Sequence, residues 1–216
     1  KLADGRAAIL PKIEKPAAVK AFAEILDASD GIMVARGDLG VELPVQAVPP
    51  IQKRLVRTTR SAAKPVIVAT QMLESMIESP MPTRAEVSDV SNAIYEGTDA
   101  IMLSAESAAG DYPVEAVRTM NAVAEEVESD PTYRDVIEAA RRIERSTVAD
   151  GIVSAAREIA EATDIKVIAC FTQTGTTAGL VARERPEVPI LALTNHIGTA
   201  RRLALTWGVT CAVTAR

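Results

Sequence analysis

Pro65-Val66-Ile67-Val68-Ala69-Thr70-Gln71 is an uncharged apolar run that ends abruptly in a hydroxyl and an amide. So short a run, wholly apolar and then polar, reads as a strand buried on both faces, with its C-terminal end at a polar rim. Similar runs stand on either side of it: Ala7 to Leu10, Gly31 to Ala35 and Ala100 to Leu103. Helical segments are expected between and after them, near 16–28, 48–63, 83–96 and 113–128. In the last of these Val114, Val117, Met120 and Val123 with Ala124 follow the i, i+3, i+4 rule of a one-sided helix. Alternating strands and helices with fully apolar strands predict a parallel sheet covered by helices. Strand starts roughly 25 to 35 residues apart match one βα unit each. Four such units fit half of an eight-fold barrel or a small open sheet.

A charged stretch from Glu125 through Asp130-Pro131 to Arg145 follows, with a helical-looking segment over 133–143. It is expected to bury little and to connect two domains. The βα rhythm then restarts, with a helix near 148–162 capped by Ser146 or Thr147. Strands are expected at Val167–Phe171, Ile190–Leu193 and Thr210–Val213, with helices near 177–184 and 198–206. The domains are therefore read as 1–128, a connector at 129–145, and a truncated α/β domain at 146–216.

The chain of 216 residues is 48% hydrophobic and 25% charged, with a net charge of −5. No basic block points to nucleic acid or an anionic membrane, and no apolar run is long enough to span a bilayer. Cys170 and Cys211 each lie inside an apolar run, the setting of reduced buried thiols in a reducing cytosol. The chain begins Lys1-Leu2-Ala3, without initiator methionine or signal pattern, and stops at Arg216 just after an expected strand. It is expected to be cut at both ends.

In a parallel α/β barrel the reactive groups stand at the C-terminal ends of the strands. After the first run come Lys12, Ile13 and Glu14, and after the second Arg36, Gly37 and Asp38. The third ends in Thr70 and Gln71, the fourth in Ser104, Ala105 and Glu106. Glu14 and Asp38 have two readings: ligands of a hard divalent cation such as Mg²⁺, or salt-bridge partners of Lys12 or Arg36. Lys12 offers a mobile point charge for a phosphate or an enolate oxygen. Gly37 lets the backbone turn present N–H groups to an anion. Thr70 and Ser104 can pass a proton through water. Together these groups suit phosphoryl transfer coupled to enol–ketone chemistry.

Leu10-Pro11-Lys12-Ile13-Glu14-Lys15 resembles the active-site signature of the pyruvate kinases. The resemblance continues through Ile32-Met33-Val34-Ala35-Arg36-Gly37-Asp38-Leu39-Gly40-Val41-Glu42 and Ala69-Thr70-Gln71-Met72-Leu73-Glu74-Ser75-Met76. Pro82-Thr83-Arg84-Ala85-Glu86, Ile101-Met102-Leu103-Ser104-Ala105-Glu106-Ser107 and Gly110-Asp111-Tyr112-Pro113 complete it. Many family members have Gly-Glu-Thr where this chain has Ala105-Glu106-Ser107, a conservative change.

The resemblance implies the second half of a TIM (β/α)8 barrel followed by an incomplete parallel-sheet α/β C-terminal domain. It implies phosphoryl transfer from phosphoenolpyruvate to ADP, giving pyruvate and ATP in glycolysis. Lys12 would be catalytic, Glu14 and Asp38 would hold Mg²⁺ or Mn²⁺, and Gly37 with Arg36 and Asp38 would grip the substrate. Thr70, with Ser104 in a relay, would deliver the proton. K⁺ would be bound by ligands outside this chain. The loop Thr172, Gln173, Thr174, Gly175, Thr176, Thr177 would bind a sugar-phosphate or nucleotide effector; from the residues alone it reads equally as a capped loop at a helix start. Many members carry a lysine or arginine in this loop, where this chain has Gln173 and Thr176. A cytoplasmic homotetramer is implied for the full-length parent, and the isolated chain is expected to be inactive. Two rival readings are a non-catalytic assembly or regulatory module and another metal-dependent barrel enzyme, such as an aldolase or lyase.

Overall fold

A computed structural model of the protein describes residues 7–141 and 147–215. Its first sheet contains β1 (Lys12–Ile13), β2 (Ile32–Ala35), β3 (Val66–Ala69) and β4 (Ala100–Met102). These strands lie side by side in chain order and all run parallel. Sequential parallel strands joined by helical crossovers are the winding of an α/β barrel.

Every residue of β3 is buried, as its unbroken apolar run requires. Ile13, Ile32, Val34, Val66 and Val68 form the sheet's share of the core. Leu55 and Val56 cover it from the helix Val48–Ser61, Val90, Ala93 and Ile94 from Arg84–Tyr95, and Ala116 and Met120 from Pro113–Ser129. Each such buried valine, leucine, isoleucine or methionine contributes about 1.5–3 kcal/mol, and each alanine less.

Three local expectations are corrected. The run Ala7 to Leu10 is not a strand; the ladder with β2 starts only at Lys12, which pairs with Met33. Pro11 lacks an N–H for a ladder, and the Ile9 amide is taken instead by the Asp30 side chain at 2.7 Å. The helix expected over 16–28 is interrupted at Ala21, leaving Pro16–Lys20 and Phe22–Asp27. The stretch expected to bury little contains the helix Pro131–Ala139, whose Tyr133 and Ile137 are each 2% exposed and belong to the first core. Its helical register places both residues on one face. The compact unit that holds the first sheet includes this helix and runs to Ala140, residues 60–65 excepted. Residues 142–146, with the end of the expected connector helix and Ser146, lie outside the described residues.

The second unit holds β5 (Ile168–Phe171), β6 (Ile190–Thr194) and β7 (Val209–Val213), parallel and again in chain order. The helix Val148–Ala162 starts on a capping box. The Thr147 hydroxyl accepts the Asp150 amide at 3.2 Å, and the Asp150 carboxylate accepts the Thr147 amide at 3.0 Å. Val153, Val181, Ile190, Ala192 and Leu203 form its core. A buried ion network sits beside it: Arg183 meets Asp150 at 2.8 Å and Glu184 at 3.3 Å, and Arg141 meets Glu184 at 2.8 Å.

Cys170 is buried, Cys211 is partly exposed, and neither is in a disulfide. Both pair with Ala192 from opposite sides. Two strand spacings of about 4.8 Å separate them by roughly 10 Å, beyond disulfide reach. Among the described residues no helix is long and apolar enough to cross a membrane.

Candidate active site

Because the four strands of the first sheet are parallel, their C-terminal ends carry their polar residues to one edge. β1 contributes Lys12 and is followed at once by Glu14. β2 runs directly into the helix Arg36–Glu42, with Asp38 in its first turn. The structure brings these three groups together: Lys12 Nζ lies 2.7 Å from Glu14 Oε2 and 3.8 Å from Asp38 Oδ2. The close contact with the Lys12 ammonium, and its charge, hold the Glu14 carboxyl below its ordinary range, and Glu14 in turn raises the Lys12 ammonium. Both are therefore charged near neutrality. The salt-bridge reading of the two acids is thus present in the structure, with Lys12 rather than Arg36 as the shared cation.

The Glu14–Lys12 contact has the distance of an ion pair without the direction of a hydrogen bond. Glu14 Oε2 is enclosed and lacks a properly directed donor. Asp38 leaves its carboxylate largely exposed, at 64%. Two hard oxygen donors from adjacent strands, one enclosed and under-satisfied and one open, fit a divalent cation completed by water or substrate oxygens. Among the described residues no three histidine, cysteine or acidic side chains form a metal cluster.

Gly37 and Thr70 meet directly. The Gly37 amide donates to Thr70 Oγ1 at 2.8 Å, and that hydroxyl donates to the Ala69 carbonyl at 2.6 Å. Thr70 and Gln71 both have left-handed backbones, with φ of 71° and 53°. This is uncommon for any side-chain-bearing residue and a true outlier for a β-branched one.

The resemblance places Arg36 beside the substrate as a supporting charge. In the structure Arg36 is 7% exposed, and its guanidinium is engaged by the Thr70 and Gln71 carbonyls, by Asp89 and by Gln52. Ser104 is tied in through its backbone, whose amide donates to Glu106 Oε2 at 2.7 Å. The other Glu106 oxygen accepts the Leu73 amide at 3.2 Å. Buried Glu106, noted in the sequence only as a rim residue, thus links the segments following β3 and β4. Asp89 was not singled out at all. It lies within the helix Arg84–Tyr95, whose sequence pattern signals only a one-sided helix.

The first unit also holds a cavity of about 890 Å³ lined by Arg36, Gln52, Asp89, Tyr95, Glu96 and Val136 among others. Lys12, Glu14 and Asp38 do not line it. In the second unit the 172–177 loop is internally bonded. Thr172 Oγ1 accepts the Gly175 amide at 2.9 Å, the Thr174 and Thr176 hydroxyls pair at 2.9 Å, and Thr199 donates to the Gln173 carbonyl at 2.7 Å. Gly175, at φ 94°, supplies the left-handed turn into the helix Thr176–Arg183. This is the capped-loop geometry. A cation absent from the loop itself, Arg202, reaches the Thr174 carbonyl at 3.3 Å.

A singly wound parallel sheet with a lysine and acids at its strand ends, followed by a separate three-stranded α/β unit, defines an α/β-barrel protein with an appended domain. Residues 2–117 match the family model described as the pyruvate kinase barrel domain, and residues 150–216 that of the pyruvate kinase alpha/beta domain. The chain belongs to the pyruvate kinase family. It is 56% identical to a pyruvate kinase of Methylorubrum extorquens over 97% of this chain and 44% of that protein. A pyruvate kinase of Agrobacterium vitis is 53% identical over 96% of this chain and 44% of its own length. The crystal structure of a pyruvate kinase from Cryptosporidium parvum superposes with a TM-score of 0.91 at 41% identity, covering 96% of this chain and 42% of that one. The chain therefore spans less than half the length of these relatives. Its four-stranded sheet is part of the α/β barrel and its three-stranded sheet is part of the C-terminal domain.

Proposed function

We propose that this chain supplies half of the active site of a phosphotransferase that moves the phosphoryl group of phosphoenolpyruvate to ADP, yielding pyruvate and ATP. The observation that carries this reading is the grouping of Lys12, Glu14 and Asp38 within ion-pair distance at the ends of β1 and β2. Lys12, charged near neutrality, meets the negative charge that develops on the transferring phosphoryl group and on the enolate left behind. The Gly37 amide, with Asp38 beside it, receives the substrate carboxylate once the Thr70 hydroxyl gives it up. That hydroxyl is then placed to deliver a proton to the enol carbon, with Ser104 in the relay. Glu14 and Asp38 would hold Mg²⁺ or Mn²⁺, which when bound neutralises substrate oxygens as a Lewis acid. K⁺ would be held by residues outside this chain.

The same reading makes the second unit a regulatory or assembly domain of a cytoplasmic homotetramer, its 172–177 loop receiving an effector phosphate beside Arg202. The test is a lactate-dehydrogenase-coupled assay of a full-length polypeptide carrying this segment and of the isolated chain. Phosphoenolpyruvate- and ADP-dependent turnover is expected from the first and none from the second. Turnover from neither would remove the catalytic reading in favour of a non-catalytic module.

A further inference from the structure

The guanidinium of Arg36 is bound entirely by the protein. Nη2 donates to the Thr70 carbonyl at 2.7 Å and to the Gln71 carbonyl at 2.8 Å, while Nε reaches the Thr70 carbonyl again at 3.2 Å. On the other side Nη1 meets Asp89 Oδ2 at 2.6 Å and Gln52 Oε1 at 3.5 Å. The two carbonyls it holds belong to the two residues that leave β3 in the left-handed conformation. β3 ends at Ala69, so no ladder with a neighbouring strand fixes Thr70 or Gln71. A β-branched residue stays in that region only when its surroundings over-determine it. The backbone so fixed is the one that sets Thr70 Oγ1 against the Gly37 amide.

We infer that Arg36 is a positioning residue: clamped by Asp89, it fixes the left-handed Thr70-Gln71 backbone and thereby aims the Thr70 hydroxyl. This rests on the proposed role of Thr70 in proton delivery. Arg36 is suited to the task because its planar fork serves two carbonyls and a carboxylate at once, which the point charge of a lysine cannot do. Its nearly complete burial explains how the bonds survive beside an open rim, since competing water is excluded. The consequence is that a residue reading as a substrate-binding arginine acts through another residue.

A double-mutant cycle on a full-length polypeptide carrying this segment tests the inference, comparing wild type, Arg36→Lys, Thr70→Ala and both together. Arg36→Lys is expected to lower kcat roughly tenfold or more, since small misplacements at a reacting centre are costly, with little change in the KM for phosphoenolpyruvate. The double variant should be no slower than Thr70→Ala alone, because the two act as one unit. Multiplying losses would overturn the inference. Adding Gln71→Gly to Arg36→Lys should recover several-fold of kcat, since glycine adopts positive φ without steric cost; no recovery would count against it. A crystal structure of Arg36→Lys keeps this separate from the functional reading. Even if the wild-type polypeptide transfers no phosphoryl group, Thr70 retaining its φ near 71° in that variant would sink the clamp. Should Arg36→Lys not fold, Asp89→Asn releases the other end of the guanidinium. A lower kcat, non-additive with Thr70→Ala, is then expected, and an unchanged kcat would overturn the inference.

Discussion

The Gly37 amide and the Thr70 hydroxyl are hydrogen-bonded at 2.8 Å, so the group proposed to grip a substrate carboxylate and the group proposed to deliver the proton occupy each other. A ligand carboxylate arriving at Gly37 would displace the hydroxyl and free it to turn. The contact leaves no room to spare: a Cβ added to Gly37 would stand 3.3 Å from Thr70 Oγ1 and 3.7 Å from its Cβ. Gly37→Ala in the full-length polypeptide keeps the amide but crowds the approach to it, and is therefore expected to raise the KM for phosphoenolpyruvate about threefold to tenfold, as weakening one hydrogen bond would. The melting temperature should move little, since the neighbour need yield by only a few tenths of an ångström. Steady-state kinetics beside thermal melts would decide it, and an unchanged KM would detach Gly37 from the substrate.

Lys12 is proposed to meet charge that grows in the transition state, so it should contribute more to kcat than to binding. Lys12→Met keeps the length and removes the charge. A fall in kcat of roughly 10²-fold or more is expected, the scale for one preorganised electrostatic contact, with a much smaller change in KM. A folded variant with near-wild-type kcat would take Lys12 out of the mechanism.

Glu14→Ala and Asp38→Ala each remove one of two candidate metal donors. Each should weaken Mn²⁺ binding by more than about tenfold in a titration followed by electron paramagnetic resonance. Each variant also removes one of the two acidic partners of Lys12, so its ammonium should lose part of its upward shift in both, more in Glu14→Ala. Unchanged metal binding in both would leave the acids as salt-bridge partners only.

In the second unit, the hydrogen bond from the Thr147 hydroxyl, with Arg183 next in weight, holds the Asp150 carboxyl at about 2, below its ordinary 3.8. A depressed carboxyl contributes stability that is complete above the ordinary value and is lost as pH falls through the folded one. Asp150→Asn is therefore expected to melt below wild type at pH 7, and the gap should close between about pH 4 and pH 2. Thermal melts of both proteins across that range test it; a gap that stays constant with pH would make the contribution of Asp150 one of shape rather than charge.

The strands were legible because β3 is buried throughout and β2 nearly so, and burial on both faces leaves an uninterrupted apolar run; β4 carries the same kind of run although its three residues are only partly buried. The error at Ala7 to Leu10 came from the same rule applied without the hydrogen-bond account: those residues are apolar, but Pro11 and the Asp30 side chain keep the ladder from starting before Lys12. Tyr133 and Ile137 were hidden for another reason. Two apolar residues in a charged stretch signal burial only once a neighbouring surface exists to receive them.

The sequence by itself determined the order of strands and helices, the family, and which residues stand at the strand ends, because each follows from local pattern or from motifs that are contiguous in the chain. The partner of each rim residue was decided only by the tertiary structure. Lys12, Glu14 and Asp38 become one cluster because β1 and β2 pair in register. Arg36 turns to Thr70, Gln71 and Asp89 because crossover helices return those distant segments to its side. Residue type fixes what a side chain can donate or accept, whereas the choice among partners is a matter of distance, and distances between remote segments exist only once the chain has folded.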